Sequence, residues 1–401
     1  MNFLRLSEAQ LMLKQLVKDF VEKEVKPVVK EFESRPDPKD CVSWDLVKKA
    51  HRLGFVTYPI PEEYGGGGLT DHVTHTLMQE ELSVGDMGFS HMILQTARFA
   101  GWMSVAAGKE QIEEFITRVV EEDDYHIAAA CTEPNHGTDN NMPDDFPGRA
   151  IETFAEKKGD EYVINGTKHW ISNAGIAKLY LVYTRTKKDV PISEGMSIFF
   201  VPHDTPGFSV TKFHNKMGRR MGTNAELVFD NVRVPTGYLM GEENRAWDLM
   251  TEHPIPGGCP GAMLLGAMRA LYEETLAYAE TRIQGGVPIV EHPTVAVRLA
   301  DMWAKIQAAR LLHYKTSWDI DNHCVEPGEL FLVSGFQRDA ATDILRHAAE
   351  LCGGLAIDRE GIVERLIRDI ASSYHDLGSS DINRLKAIRA MMDTGELPLP
   401  G

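Results

Sequence analysis

Three features of the 401-residue chain have residue types and spacings suited to chemistry. The first is the run Gly65–Gly68, whose composition matches a phosphate-cradling loop. No Lys-Ser or Lys-Thr pair follows it, so it reads as a flexible turn between packed helices. The second is His136, three residues before Asp139. A metal centre needs more ligands than that, and no second one follows at useful spacing, so the reading is a surface turn without a metal. The third is the set of five cysteines, Cys41, Cys131, Cys259, Cys324 and Cys352. They are scattered with no C-x-x-C pair, which suits neither a zinc site nor a disulfide framework and fits a reducing cytoplasm. No G-x-G-x-x-G follows a strand, so a Rossmann dinucleotide site has no support.

The elements that must position any site come in three blocks. Ser7 and Gln10 make a capping box, and Leu13, Leu16, Val17, Phe20 and Val21 repeat behind it at helical spacing. Further helical runs extend from Ser43 to about Leu53 and from Asp71 to about Ser83, separated by the breaker stretch Tyr58–Tyr64. From about Tyr125 to Pro235 the pattern changes to short β-branched and aromatic segments: His126–Cys131, Tyr162–Ile164, Leu179–Tyr183, Ser197–Val201 and Leu227–Phe229. Charged glycine turns such as Lys158-Gly159-Asp160 separate them, which predicts an antiparallel barrel or sandwich. Helical periodicity returns near Trp247, over Ala262–Ala279, Pro293–Asp319, Gly328–Leu351 and Arg359–Ala371, and the tail Gly395–Gly401 is expected to fray.

Composition narrows the class. The apolar fraction of 43% is that of a globular protein able to bury a sizeable core. Acidic residues outnumber basic ones 59 to 42, for a net charge of -17, which argues against nucleic acid or an anionic membrane as partner. No apolar run approaches the ~20 residues that span a bilayer, and the first residues resemble neither a signal nor a transit peptide. A cytoplasmic protein is the expectation.

Four motifs then carry a family resemblance. The segment Thr132-Glu133-Pro134-Asn135-His136-Gly137-Thr138-Asp139 resembles the T-E-P-x-x-G-[ST]-D signature of the acyl-CoA dehydrogenase family. Asn165-Gly166-Thr167-Lys168-His169-Trp170-Ile171-Ser172-Asn173 is similar to its N-G-x-K-x-W-I-[ST]-N stretch. Phe229–Pro235 matches its F-x-[DN]-V-x-V-P strand, and Pro61–Gly66 its P-E-E-Y-G-G turn. All four occur in the family's order.

The resemblance implies an α+β architecture: an N-terminal helical domain (1–124), a middle antiparallel β-barrel (125–243) and a C-terminal four-helix bundle (244–401). It implies FAD wedged between the domains, an acyl-CoA substrate, electron-transfer flavoprotein as acceptor, and a homotetramer or at least a dimer. A flavin accepting hydride becomes electron-rich, so hydrogen-bond donors at its edge stabilise the reduced form. By the resemblance, Thr132 and Thr138 supply hydroxyls at the pyrimidine edge, Ser172 takes the position near N5, and Trp170 stacks beside the ring. A neighbouring subunit's Arg282 and Gly353-Gly354 correspond to the family's pyrophosphate contacts, although Gly285 lacks the usual aromatic and Glu350 replaces an amide.

The catalytic base departs from the family. A carboxylate there removes the α-proton from a Y-E-G-T-S-x-I segment, which corresponds here to His375-Asp376-Leu377-Gly378-Ser379-Ser380-Asp381-Ile382. Gapless register puts Leu377 in the Glu slot and Asp376 one residue before it. The alternative base position on the first helix of the last domain also looks empty, with Pro256 where many members carry a substrate-facing Arg. Three explanations stay open. Asp376 is the base, suited to a cyclic or branched acyl group; or the base is Asp86, His91, Glu252 or His253 on the pocket wall; or none is needed, as in enoyl-CoA reduction or elimination. The backbone N–H of Leu377, with Gly378 beside it, remains available to hold the thioester oxygen. The leading expectation is an FAD-dependent acyl-CoA dehydrogenase. An enoyl-CoA reductase or acyl-CoA lyase on the same fold is the alternative, and a catalytically silent flavoprotein partner is the reading from outside the enzymes.

Overall fold

A computed structural model describes residues 5–137, 139, 147–255, 261–376 and 378–393. The capping box at the start of α1 (Glu8–Phe20) is formed: Gln10 N–H donates to Ser7 Oγ (3.2 Å) and Ser7 N–H to Gln10 Oε1 (2.9 Å). A π-helical turn, Val21–Val25, carries the chain into α2 (Lys26–Glu33). Val17, Phe20 and Val21 of the predicted stripe are buried, while Leu16 stays 40% exposed. Then follow α3 (Trp44–Arg52), α4 (His72–Gly85), α5 (Met87–Ala106), the single turn α6 (Lys109–Gln111) and α7 (Thr117–Glu121).

The Gly65–Gly68 run is not a flexible turn. Gly67 N–H donates to Thr57 O and Gly68 N–H to Ile60 O, folding the run back on the preceding segment. A Cβ on Gly66 would lie 2.1 Å from Ile60 O, so only glycine fits there.

The middle block is one eight-stranded sheet in the order β6-β7-β3-β2-β4-β5-β8, with β1 added on β4. Its strands are β1 (His126–Ala130), β2 (Phe154–Lys158), β3 (Glu161–Ser172), β4 (Ala177–Arg185), β5 (Met196–Pro202), β6 (Phe208–Phe213), β7 (Asn224–Pro235) and β8 (Leu239–Met240). Most neighbours are antiparallel, and β1 and β2 run parallel to β4. One side chain set, including Tyr162, Tyr180, Phe199, Leu227 and Val232, forms a core of its own.

After α8 (Ile192–Gly195), within the sheet block, come α9 (Ala246–Glu252) and the C-terminal helices. These are α10 (Ala262–Thr281), α11 (Pro293–Asp321), α12 (Glu329–Cys352), α13 (Ile362–Ala371) and α14 (Ser380–Asp393), with a small hairpin of β9 (Ile283–Gln284) and β10 (Val287–Pro288). Helix α10 packs against α4, α11, α12 and α13, so the first and last blocks share one core. Buried acids at this junction are paired. Arg269 bonds Glu80 (2.8 Å) and Glu81 (2.6 Å), and Tyr314 O–H donates to Glu80 (2.9 Å). Unpaired, such charges would make the junction untenable.

Candidate active site

Two of the sequence motifs, Thr132–Asp139 and Asn165–Asn173, meet beside β1 and β3, and the second ends against the start of β7. Ser172 pairs with Asn224 in the ladder, and a register shift between Lys168 and Ile171 bulges the strand at Trp170. That residue takes φ +60°, unusual for a bulky side chain. Its indole is 54% exposed, stacked on the His214 ring at 3.9 Å and on His169 at 5.0 Å. Thr132 follows β1, and its carbonyl accepts from His169 N–H at 2.9 Å. Thr138 lies outside the described residues.

The residue types of the two longest motifs have a structural reason. Lys168, fully buried, donates from Nζ to Glu133 (2.8 Å) and to Cys131 O (2.9 Å). Glu133 also accepts from the backbone N–H groups of Glu152 and Thr153. Burial pushes the Glu133 carboxyl up, but Lys168 and these donors more than offset it and hold it below the usual range. The ion pair ties the Thr132 loop to the strand that carries Trp170 and Ser172.

A hydrogen-bond chain fixes Ser172. Lys216 Nζ donates to Asn224 Oδ1 (2.6 Å) and to Gly222 O (2.7 Å). With its oxygen so engaged, Asn224 donates from Nδ2 to Ser172 Oγ (3.0 Å) and to Trp170 O (3.0 Å). Ser172 Oγ is therefore an acceptor here, which leaves its own proton to donate elsewhere. From the other side, Gln95 Nε2 donates to Ser172 O (3.0 Å), and Gln95 Oε1 lies 2.9 Å from His91 Nε2. That amide oxygen can only accept, so Nε2 carries the His91 proton and Nδ1 is bare. Burial, with Arg219 adding to it, lowers His91 to about 4. The same two causes lower Lys216 to about 7. Gly88, His91, Ser172, Lys216, Arg219 and Thr223, among others, line a small, half-open cavity. The Thr223 hydroxyl in this wall is buried and has no hydrogen-bond partner among the described residues.

Asp376 is neither a solvated loop residue nor a free carboxylate. Arg219 grips both of its oxygens, Nη1 to Oδ2 at 2.5 Å and Nη2 to Oδ1 at 3.0 Å. Arg219 also donates from Nε to Ser372 Oγ (3.0 Å) and from its backbone N–H to Asp369 (2.6 Å). Asp369 and Asp86 in turn share Arg365, each at 3.0 Å. Asp376, with Met87, Gly261, Met263, Leu264, Arg338 and Ser373, lines a second small, half-open cavity. Gly378 is buried at φ +95°, and Leu377 and Pro256 are outside the described residues.

The other candidate bases divide. Asp86 is buried as the cap of α5, accepting from Phe89 N–H (2.7 Å) and Arg365, so it is committed to structure. Glu252 is exposed, and the carbonyl of His253 accepts from the Trp102 indole (2.7 Å). His91 alone of this set lines either cavity. Farther off, Arg282, Gly353 and Gly354 are exposed, and nothing among the described residues stands within 4 Å of a Cβ placed on either glycine. Glu350 pairs with Arg298 (2.7 Å) and Arg346 (3.2 Å).

His136 differs from the sequence reading. Besides Asp139 (2.6 Å) it meets Glu152 (3.0 Å), a partner sixteen residues away that local spacing does not reveal, and it is buried. Sequence reasoning also missed Lys216, Arg219 and Asn224. The cation-rich segment Lys216-Met217-Gly218-Arg219-Arg220 just before a predicted strand was their available signal.

An exposed indole held flat, a serine with a free proton and an orphaned threonine hydroxyl form a cradle for a planar group with polar edges. FAD fits that donor set, and the class defined is a flavoprotein with a helix–sheet–helix architecture. The family models for the N-terminal, middle and C-terminal domains of acyl-CoA dehydrogenase match residues 7–123, 128–232 and 258–392. An acyl-CoA dehydrogenase of Bacillus subtilis is 31% identical over 387 residues, covering 95% of this chain and 97% of that protein. Butyryl-CoA dehydrogenase from Megasphaera elsdenii superimposes with a TM-score of 0.87 at 28% identity, over 97% of this chain and 99% of that one. A structure described as PigA with FAD and proline gives 0.87 at 25% identity, over 98% and 99%. The chain belongs to the acyl-CoA dehydrogenase family. It is an oxidoreductase that uses FAD.

Proposed function

We propose that the chain oxidises the thioester of a compact acyl group, branched or cyclic, with Asp376 taking the α-proton. The observation that carries the reading is the position of Asp376. Its carboxylate lines one cavity while the arginine that holds it lines the cavity containing Ser172. FAD, when bound, supplies the acceptor for the β-hydrogen as hydride. Ser172 then offers its proton to the ring edge, oriented by Asn224, and Trp170 gives the ring a face to stack on. Arg219 keeps Asp376 in one orientation, and an oxygen already holding an Arg N–H retains lone pairs for a substrate proton. By the family register, the backbone N–H of Leu377, with Gly378 beside it, is the donor assigned to the thioester oxygen in this reading. PigA is described with proline, itself a cyclic acid, which supports a compact ring as one form of the substrate.

Electron-transfer flavoprotein as electron acceptor, a cytoplasmic setting and a homotetramer belong to the same proposal. Exposed apolar residues on the C-terminal helices and beyond, Val297 (68%) and Ile357 (83%) among them, support self-association. Arg282 and Gly353-Gly354, exposed in a single chain, then reach a neighbour's FAD.

A second reading makes His91 the base, because its neutral ring with a bare Nδ1 lines the Ser172 cavity. The test of the overall function is anaerobic titration of the yellow protein with straight, branched and cyclic saturated acyl-CoAs, following flavin absorbance. Bleaching strongest with a branched or cyclic thioester is the expected result. No bleaching by any saturated thioester, with an enoyl-CoA reoxidising the dithionite-reduced protein, would replace the dehydrogenase by a reductase.

A further inference from the structure

We propose that the Arg219–Asp376 ion pair is a charged partition across the substrate space, limiting the enzyme to compact acyl groups. The proposal rests on the reading that an acyl thioester occupies the two cavities. Arg219 is in the wall of the first and Asp376 in the wall of the second, and their ion pair joins the two. The walls also share consecutive residues at the start of α5, Gly88 in the first and Met87 in the second.

The partition is rigid. Two carboxylates, Asp369 and Asp376, and both the hydroxyl and carbonyl of Ser372 accept from Arg219. Its backbone takes φ +51° and presses on α5, so closely that a Cβ on Gly88 would lie 2.7 Å from the Arg219 carbonyl carbon. Arg338 adds a contact to the Asp376 carbonyl from α12. The side chains of the pair are 11% and 30% exposed.

A long apolar chain reaching from the Ser172 side toward Met263 and Leu264 must lie against this pair or part it. Lying against it strips water from two charges, and parting it leaves each charge uncompensated in a poorly solvated place. A branched or cyclic group meets the pair only at its α-carbon, where Asp376 takes the proton, and carries no apolar tail past it. The pair therefore selects by shape at the point where the walls of the two cavities adjoin.

The test uses the FAD-loaded protein and calorimetric binding of trans-2-enoyl-CoAs, which need no turnover: crotonyl-, octenoyl- and dodecenoyl-CoA. In the wild type we expect affinity to fall at least about tenfold from crotonyl to octenoyl. The double variant Arg219→Met/Asp376→Leu, with neither charge left behind, should flatten that profile. Asp376→Asn, which keeps the shape and loosens the pair, should move it partway. A wild-type profile independent of chain length overturns the partition and leaves the acyl-CoA reading standing. So does a length dependence that neither variant changes. Failure of every enoyl-CoA to bind would overturn the functional reading itself, and the partition with it.

Discussion

Asn224 donates to Ser172 Oγ at 3.0 Å while its own oxygen accepts from Lys216 at 2.6 Å, so the direction of every proton in this chain is fixed. Ser172 keeps its own proton to donate, in the proposed function toward the flavin edge. Asn224→Asp replaces the amide donor by an acceptor and turns the serine proton inward. Reduction of the bound flavin by substrate should slow about a hundredfold, with FAD still bound. Rapid-mixing absorbance gives the rate and the flavin spectrum gives the occupancy.

Lys216 supplies a pH signature. Its value of about 7 lies below the ordinary 10.5, because burial and Arg219 disfavour the ammonium. The unfolded chain binds a proton at this residue between those two values and the folded chain does not, so stability gains from it as pH rises from about 7 toward 10.5. Lys216→Met removes the term. The variant's melting temperature minus that of the wild type should be largest near pH 7 and shrink steadily by pH 10. A difference that is flat or grows over that range would contradict the assignment.

The Lys168–Glu133 pair predicts a stability effect without a direct chemical one. Lys168→Met leaves a buried carboxylate uncompensated and should cost about 3–5 kcal/mol in urea unfolding. Lys168→Met/Glu133→Gln should recover part of that loss, since no charge is then stranded. Equal losses in the single and double variants would mean that packing, not charge, holds the two motifs together.

Much of the fold was legible because local patterns survive in it. The Ser7 capping box, the strands β1, β3, β4, β5 and β7, and helices α10 to α13 fall where their periodicity put them. Helix α5 was not legible. It is buried on nearly every side, so its apolar residues show no stripe, and a helix without a polar face has no amphipathic signal. Strands β2 and β6 are short and carry exposed charges or hydroxyls that read as loop. The Gly65–Gly68 run read as flexible because sequence shows glycine's freedom but not the Ile60 carbonyl that uses it.

The site divides along the same line. Thr132, Trp170 and Ser172 could be named because each sits inside a short local motif, Thr132 in one and Trp170 with Ser172 in another. Arg219 and Asp376 are 157 residues apart, and neither fits a short pattern. Only the packing of the segment before β7 against α5 and the loop after α13 brings them together. For the same reason Asp376 could be named as a candidate carboxylate, but not as one held by a guanidinium.

The central claim is that Asp376 accepts the α-proton, and exchange of that proton measures it most directly. The FAD-loaded protein is held anaerobically in D₂O with its best saturated acyl-CoA, and deuterium at the α-carbon is followed by mass spectrometry. Wild type, Asp376→Asn and His91→Gln are compared at equal flavin occupancy. The account predicts that Asp376→Asn slows exchange by about a hundredfold or more while His91→Gln stays within a few-fold of wild type. Exchange preserved in Asp376→Asn and lost in His91→Gln would contradict it and move the base to α5.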